Sequence, residues 1–262
     1  MSLFLSYILV GMVAGTLAGL FGVGGGLIIV PVLIASFELQ QFAPDILTHL
    51  AIGTSLATIV ITSISSVKAH HNKQAVNWLL VKWLSLGIIV GSTFGVFFAA
   101  SLSGEKLQLV FGIFAFLVGI KMAINWAPGQ QLDKTNKPLL SGGGVVIGFL
   151  SAIFGIGGGT MTVPFLTWQG VPVKQSIGTS AACGLPIAIV GTATYIVVGW
   201  GNPALPELAI GYVYLPALLG IILASVIFAK LGAWLAHKLP SDYVHKLFAL
   251  LLCAVGIYMV AF

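Results

Sequence analysis

Arginine is absent from this sequence of 262 residues, and only six residues are acidic. Without arginine there is no guanidinium fork to clamp an oxyanion bidentately. Charged residues make up 6% of the chain and hydrophobic ones 58%, whereas a soluble domain carries about 25% charged residues. Such a chain cannot cover its surface in water, so it is a polytopic membrane protein whose first partner is the lipid bilayer. The two cysteines, Cys183 and Cys253, both sit in apolar segments, which excludes a disulfide framework. All basic side chains other than histidine are lysines, and the net charge of +5 marks loops on one side of a membrane, not affinity for nucleic acid. The opening "MSLFLSYILVG" lacks a basic leader region and is expected to be retained, not cleaved.

The acids Glu38, Asp45, Glu105, Asp133, Glu207 and Asp242 all fall in loops or at segment ends. Carriage of a proton or Na⁺ relies on a carboxylate within the membrane, and none is placed there, so cation transport is disfavoured. Enzyme signatures are missing too. "GVGGGL" has Leu27 where the dinucleotide fingerprint needs a glycine, no lysine completes a phosphate-binding loop, and no His-Glu pair opens a metal motif. "GTSLA" and "GTSAA" lack the final glycine of a nucleophile elbow. No metal site and no cofactor are expected; a membrane enzyme or assembly factor remains the weaker alternative.

What the chain does have is a repeat. "GMVAGTLAGLFGVGGGLIIVPVL" from Gly11 answers to "GVVIGFLSAIFGIGGGTMTVPFL" from Gly144, an offset of 133 residues. "IGTS" occurs at Ile52–Ser55 and again at Ile177–Ser180, and such internal similarity sets the architecture. The reading is two homologous halves, 1–126 and 139–262, joined by a polar linker at 127–138 within one membrane domain. Each half holds four apolar segments: 2–37, 46–66, 76–100 and 107–126, then 139–168, 176–198, 208–236 and 244–262. A span needs about 20 apolar residues, so the first segment of each half is too long for one span and is interrupted at its glycines.

Lysines orient the segments. If all eight segments cross, six lysines fall on one side and five on the other. If each glycine-broken segment enters and returns on the same side, every lysine but Lys106 lies on one side, as the positive-inside rule prefers. The expected fold is therefore an all-α membrane protein of two inverted repeats, with both termini outside the cell. Whether the broken segments are re-entrant or form extra short crossings stays open.

In a helix interior each glycine costs about 1 kcal/mol relative to alanine and proline about 3, so "GLFGVGGGLIIVP" calls for a reason. Non-helical backbone at membrane depth survives where it is buried in protein or lines a cavity. Inverted repeats with broken helices are the plan of secondary transporters, with the substrate between the breaks. The half-helices after the breaks offer free N–H groups and positive dipole ends, which suit an anion. Candidate substrate residues are Gly24, Gly25, Gly26, Gly157, Gly158, Gly159 and Thr160, with the neutral donors Gly53, Thr54, Ser55, Gly178, Thr179 and Ser180. Thr58, Thr162, Cys183, His49 and Lys174 are secondary candidates; interface anchoring competes for His49 and Lys174, and inert burial for Cys183.

The paired "AGLFGVGGGLIIVPVL" and "SAIFGIGGGTMTVPFL", each followed by "IGTS", resemble the TauE/SafE sulfite exporter family of permeases over nearly the whole chain. The resemblance implies a permease of the cell inner membrane for sulfur oxyanions such as sulfite, sulfoacetate or other organosulfonates, with the two Gly-rich motifs and the two GTS segments as substrate region. Each negative charge leaving an inside-negative cell gains about 2.3 kcal/mol per 100 mV, so export without a coupling ion is the favoured direction. An anion channel and a coupled uptake permease remain alternatives, and the oligomeric state is not legible.

Overall fold

A computed structural model describes residues 2–21, 25–123, 136–238 and 241–261. The chain is an all-α polytopic membrane protein, with ten helices and one short hairpin of two-residue strands among the described residues. Helices α1 (Ser2–Phe21), α2 (Gly26–Leu39), α3 (Pro44–Asn72), α4 (Trp78–Ala100) and α5 (Gly104–Ala123) precede the linker. Helices α6 (Lys137–Phe154), α7 (Gly159–Trp168), α8 (Val173–Gly199), α9 (Leu215–Lys238) and α10 (Ser241–Ala261) follow it. Five of these, α3, α4, α5, α6 and α8, are long and apolar enough to cross a membrane among the described residues.

Each long first segment is two helices. Between α6 and α7 the chain turns through Gly155 (φ 64°) and Gly158 (φ 77°), left-handed conformations that glycine alone adopts without strain. Before α2, Gly25 has φ 66° and caps the helix. Both following helices carry a proline, Pro31 and Pro164, each five residues past the helix start. Each proline leaves the carbonyl four residues earlier without its helical N–H. The segment expected as a single helix from 208 begins instead with paired strands, β1 (Ala209–Ile210) and β2 (Val213–Tyr214), and becomes helical at Leu215. Gly211, at φ 52°, makes the turn.

The helices of the two groups interlock. Tyr7 near the start of α1 donates its hydroxyl to Gln40 just past α2, at 2.8 Å, so α1 and α2 form a hairpin that returns to the end it left. Phe165 of α7 fills the space over Gly143 of α6, so the second pair also doubles back. α1 packs along α9, with Gly220 against Tyr7, Gly11 against Ile221 and Gly15 against Ser225: the two run parallel. α6 packs along α4 in the same way, with Gly87 against Ser141, Gly91 against Val145 and Gly95 against Phe149. Small residues at these seams let the backbones approach closely. α5 and α10 run antiparallel, Gly112 facing Met259 and Gly119 facing Cys253. α3 and α8 cross antiparallel at the centre, where Leu56 covers Gly191 and Ser63 approaches Gly184. Every residue of α3 from Ile46 to Ile59 is buried: this stretch of the helix is enclosed by protein on all sides.

Candidate functional site

The two breaks meet. A Cβ on Gly26 would collide with the carbonyl oxygen of Gly155, so only glycine allows α2 to begin where it does. Ser55 of α3, fully buried, donates its hydroxyl to that same carbonyl at 3.0 Å. On the other side of the turn, Gly184 of α8 lies against the Gly157 carbonyl. The central helices thus hold the breaks from both sides.

Two helices start here. α2 and α7 have glycine N-caps, Gly25 and Gly158, and among the described residues no side chain caps their first N–H groups. Ile28 and Ile29 N–H donate to the Gly25 carbonyl, and Met161 and Thr162 N–H to the Gly158 carbonyl. Among the described residues no carbonyl accepts from the Gly159 or Thr160 N–H. An uncapped helix start carries about half a positive charge. Gly26 touches Ile156, three residues before Gly159, so the two starts lie within about 15 Å of each other.

At the second start two hydroxyls in the first turn of α7 have no partner among the described residues, and on α8 the unbonded Ser180 stands one turn before Gly184. Thr162 is fully buried, its Oγ1 unbonded and 3.3 Å from where a Cβ on Gly158 would stand. Thr160 Oγ1 and Ser180 Oγ are likewise buried and unbonded, and so is Ser151 Oγ in the last turn of α6. Leaving a buried donor unpaired costs about 1–3 kcal/mol, so Thr160 and Thr162 in the first turn of α7 are open to a further partner. Cationic side chains are not part of it: every lysine whose side chain is described is exposed.

The other expected residues divide. Thr58 is buried and donates to the Ser55 carbonyl at 2.6 Å, one turn from the contact, and Cys183 is a buried thiol beside Gly184. The GTS glycines and threonines make contacts within the protein. Thr54 Oγ1 accepts the Tyr214 N–H at 3.0 Å, and Thr179 Oγ1 accepts the Asn77 N–H at 3.0 Å. Gly53 and Gly178 make room for the Tyr212 and Ala75 carbonyls. Each motif therefore binds the chain entering the fourth long helix of the opposite half, α9 or α4. His49 is buried at the far end of α3, its ring nitrogens 3.2 Å from the Asp45 carbonyl and 3.0 Å from the Ala99 carbonyl, and it stacks on Tyr212. Lys174 is exposed at the start of α8. Neither joins the break, and Gly24 lies outside the described residues.

Sequence reasoning passed over Ser151 and Asn77. Ser151 stands four residues before Gly155 in "SAIFG", where Ala18 is its counterpart, and a small residue on a glycine-spaced face reads as packing. Asn77 caps α4 by accepting the Leu79 and Leu80 N–H groups; an asparagine directly before an apolar run was the available signal.

Against known proteins, the profile of the family described as "Sulfite exporter TauE/SafE" matches residues 7–259. A probable membrane transporter protein of Haemophilus influenzae is 43% identical, over 96% of this chain and 96% of its own. A probable membrane transporter protein of Methanocaldococcus jannaschii is 30% identical, over 96% of this chain and 93% of its own. One from Bacillus subtilis is 25% identical over 98% and 97%. No solved structure matches the chain.

Proposed function

The chain belongs to the TauE/SafE sulfite exporter family of membrane transporters, and on that premise we propose that it carries a sulfur-containing oxyanion outward by alternating access. The substrate is sulfite, which the family's description names, or a related sulfur anion, sulfoacetate or another organosulfonate. One observation carries the reading: among the described residues two helix starts without side-chain caps lie at the breaks, Thr160 and Thr162 open the second with buried, unbonded hydroxyls, and the unbonded Ser180 stands one turn before Gly184, which meets the Gly157 carbonyl. N–H groups and hydroxyls with no carboxylate among them are donors for an anion.

Depth and direction support the same reading. α2 has 14 residues and so descends about 21 Å from its outer end, and α7, with 10 residues, rises about 15 Å from the other. Those lengths bracket the middle of a hydrocarbon core about 30 Å thick. The halves 1–126 and 139–262 are read as inverted repeats, since the corresponding helices α5 and α10 run in opposite directions. Lys82 and Lys137 both lie over the Trp83 ring, at 6.0 and 5.2 Å, and Ala75 abuts Gly178. The starts of α4, α6 and α8 therefore share one end, the lysine-rich one, which the positive-inside rule assigns to the cytoplasm of an inner-membrane protein. Both termini then face outward.

In this mechanism the anion docks at the second break, and rocking of one helix group against the other exposes it alternately. The membrane potential drives export at about 2.3 kcal/mol per charge per 100 mV. The test is flux of labelled sulfite and sulfoacetate in proteoliposomes under an imposed potential. Saturable, potential-driven movement with counterflow of unlabelled anion supports a carrier. Unsaturable flux without counterflow makes it a channel, and no flux from folded protein removes the assignment.

A further inference from the structure

We propose that Lys82, Trp83 and Lys137, at the lysine-rich ends of α4 and α6, form a site for the phosphate headgroup of an anionic phospholipid, with an acyl chain of that lipid along the seam between the two helices. The site is separate from the breaks and does not depend on what they carry.

The observations converge on Trp83. Lys82 of α4 and Lys137 of α6 place their ammonium groups 6.0 and 5.2 Å from the centre of its ring, within the range where an aromatic face attracts a cation. Two like charges gathered at one indole repel each other. The indole Nε1–H is buried and has no acceptor among the described residues, although a buried tryptophan N–H ordinarily finds one. Lys137 also opens α6, the end of a helix where a cation is disfavoured, and neither α4 nor α6 has an acid in its first turn. The cluster therefore has cations and a donor to spare and lacks an acceptor. The acids whose side chains are described, Glu38, Asp45, Glu105 and Glu207, stand at the opposite end of the helices. Asp133, four residues before Lys137, lies outside the described residues, and Asp133→Asn is for that reason among the variants.

What lies beside the cluster is apolar and open. Trp83, Val90 and Phe94 fall on one stripe of α4, and Val90 and Phe94 are exposed. Gly91 meets Val145 of α6, and Val145 is exposed as well. An apolar strip thus runs from the lysines towards the bilayer centre along the seam. A free anion would use the cations and leave the strip unused; a phospholipid uses both. Charge-assisted hydrogen bonds from ammonium and indole N–H groups suit phosphate oxygens. The positive-inside rule sets this end on the cytoplasmic side, where the anionic lipids of that leaflet attract lysines at the ends of spans. Since α4 and α6 lie on opposite sides of the linker, a lipid seated there ties the two helix groups together at this end.

The experiment titrates the full-length protein in detergent with phosphatidylglycerol and, separately, with phosphatidylcholine of the same chains, and counts bound lipid by native mass spectrometry. The first phosphatidylglycerol should be held at least tenfold more tightly than phosphatidylcholine. Lys82→Gln together with Lys137→Gln should weaken it roughly twenty-five-fold, about fivefold for each lysine at an anionic headgroup. Lys121→Gln together with Lys174→Gln, which removes the same charge from exposed lysines at the same end, should change it less than about twofold. Trp83→Phe keeps the ring, removes the N–H and should weaken binding severalfold. Equal retention of the two lipids by the unaltered protein overturns the inference. So does an equal loss in the two lysine pairs, since the lysines then only snorkel. Displacement of phosphatidylglycerol by millimolar inorganic phosphate makes the cluster a site for a free anion and overturns the lipid. A lipid preference that appears only in Asp133→Asn means the linker carboxylate already holds the lysines, and overturns it too.

Discussion

After Gly159 the second break continues with Thr160 and Thr162, whereas after Gly26 the first continues with Leu27 and Ile29 in the same places. Ser180 in α8 has an unbonded hydroxyl; its counterpart Ser55 in α3 donates to the Gly155 carbonyl. Ser151 precedes the second break, and Ala18 the first. The two breaks share a glycine cap with positive φ, a helix start and a proline five residues on, but only the second opens its helix with buried hydroxyls, Thr160 and Thr162, that are unbonded among the described residues. On the reading of the chain as two related halves, the two helix starts correspond and only the second has become polar. A site built from two related halves need not be symmetric, because the ligand needs donors on one side and close packing on the other.

The sharpest way to break the comparison is to remove the contact between the breaks. Gly26→Ala drives a methyl group into the Gly155 carbonyl. Backbone has to move on both sides, so more than about 3 kcal/mol is expected, with transport at background and a loss of folded protein in detergent on size exclusion. Gly142→Ala, where nothing lies within 4 Å, is the control and should leave both readings unchanged.

Next in size is the pair Thr54→Val and Thr179→Val. Each strands one backbone N–H, that of Tyr214 or Asn77, at a cost of about 1–3 kcal/mol. The two losses, measured by thermal unfolding, should be alike, since the geometry at the two ends is reciprocal. A large change in half-saturation from either, with stability intact, would return the GTS threonines to the substrate site.

Ser55→Ala and Ser180→Ala then separate the breaks. Ser55→Ala leaves the buried Gly155 carbonyl short of a donor and should lower stability by about 1 kcal/mol. Ser180→Ala removes no bond within the protein, so its stability should stay within about 0.5 kcal/mol while the half-saturation for sulfite rises roughly tenfold. Thermal shift with and without sulfite reads both effects; equal behaviour of the two variants would erase the asymmetry.

The smallest effect is expected far from the breaks. Tyr258→Phe removes an exposed hydrogen bond to Glu38 at the ends of α10 and α2. It should change stability by less than about 0.5 kcal/mol and transport not at all, as initial flux at one subsaturating sulfite concentration would show.

Much of this was legible in the residues. Apolar runs and the near absence of charge fixed the class, and the repeated glycines located the breaks, because few other needs explain glycine and proline inside a span. The family followed from those same motifs. What was not legible was the partner of each hydroxyl. "IGTS" reads as a row of donors in both halves, yet which threonine meets a backbone N–H depends on where Tyr214 and Asn77 arrive from the opposite half. That is a long-range pairing with no local signal. The β-hairpin at 209–214 was hidden in the same way, since its strands are too short to set a period of two. Ser151 was missed because a serine on a small-residue face looks like packing until its hydroxyl is found unbonded.

The central claim is that the second break holds the anion through hydroxyls that nothing in the protein satisfies. It is tested most directly by the half-saturation for labelled sulfite in proteoliposomes containing Thr162→Val together with Ser180→Ala, beside the unaltered protein. The account predicts folded protein, saturable flux and a half-saturation raised roughly a hundredfold, the product of two hydrogen bonds to an anion at about 1.5 kcal/mol each. An unchanged half-saturation in a folded double variant would contradict it and leave the glycine breaks as close packing alone.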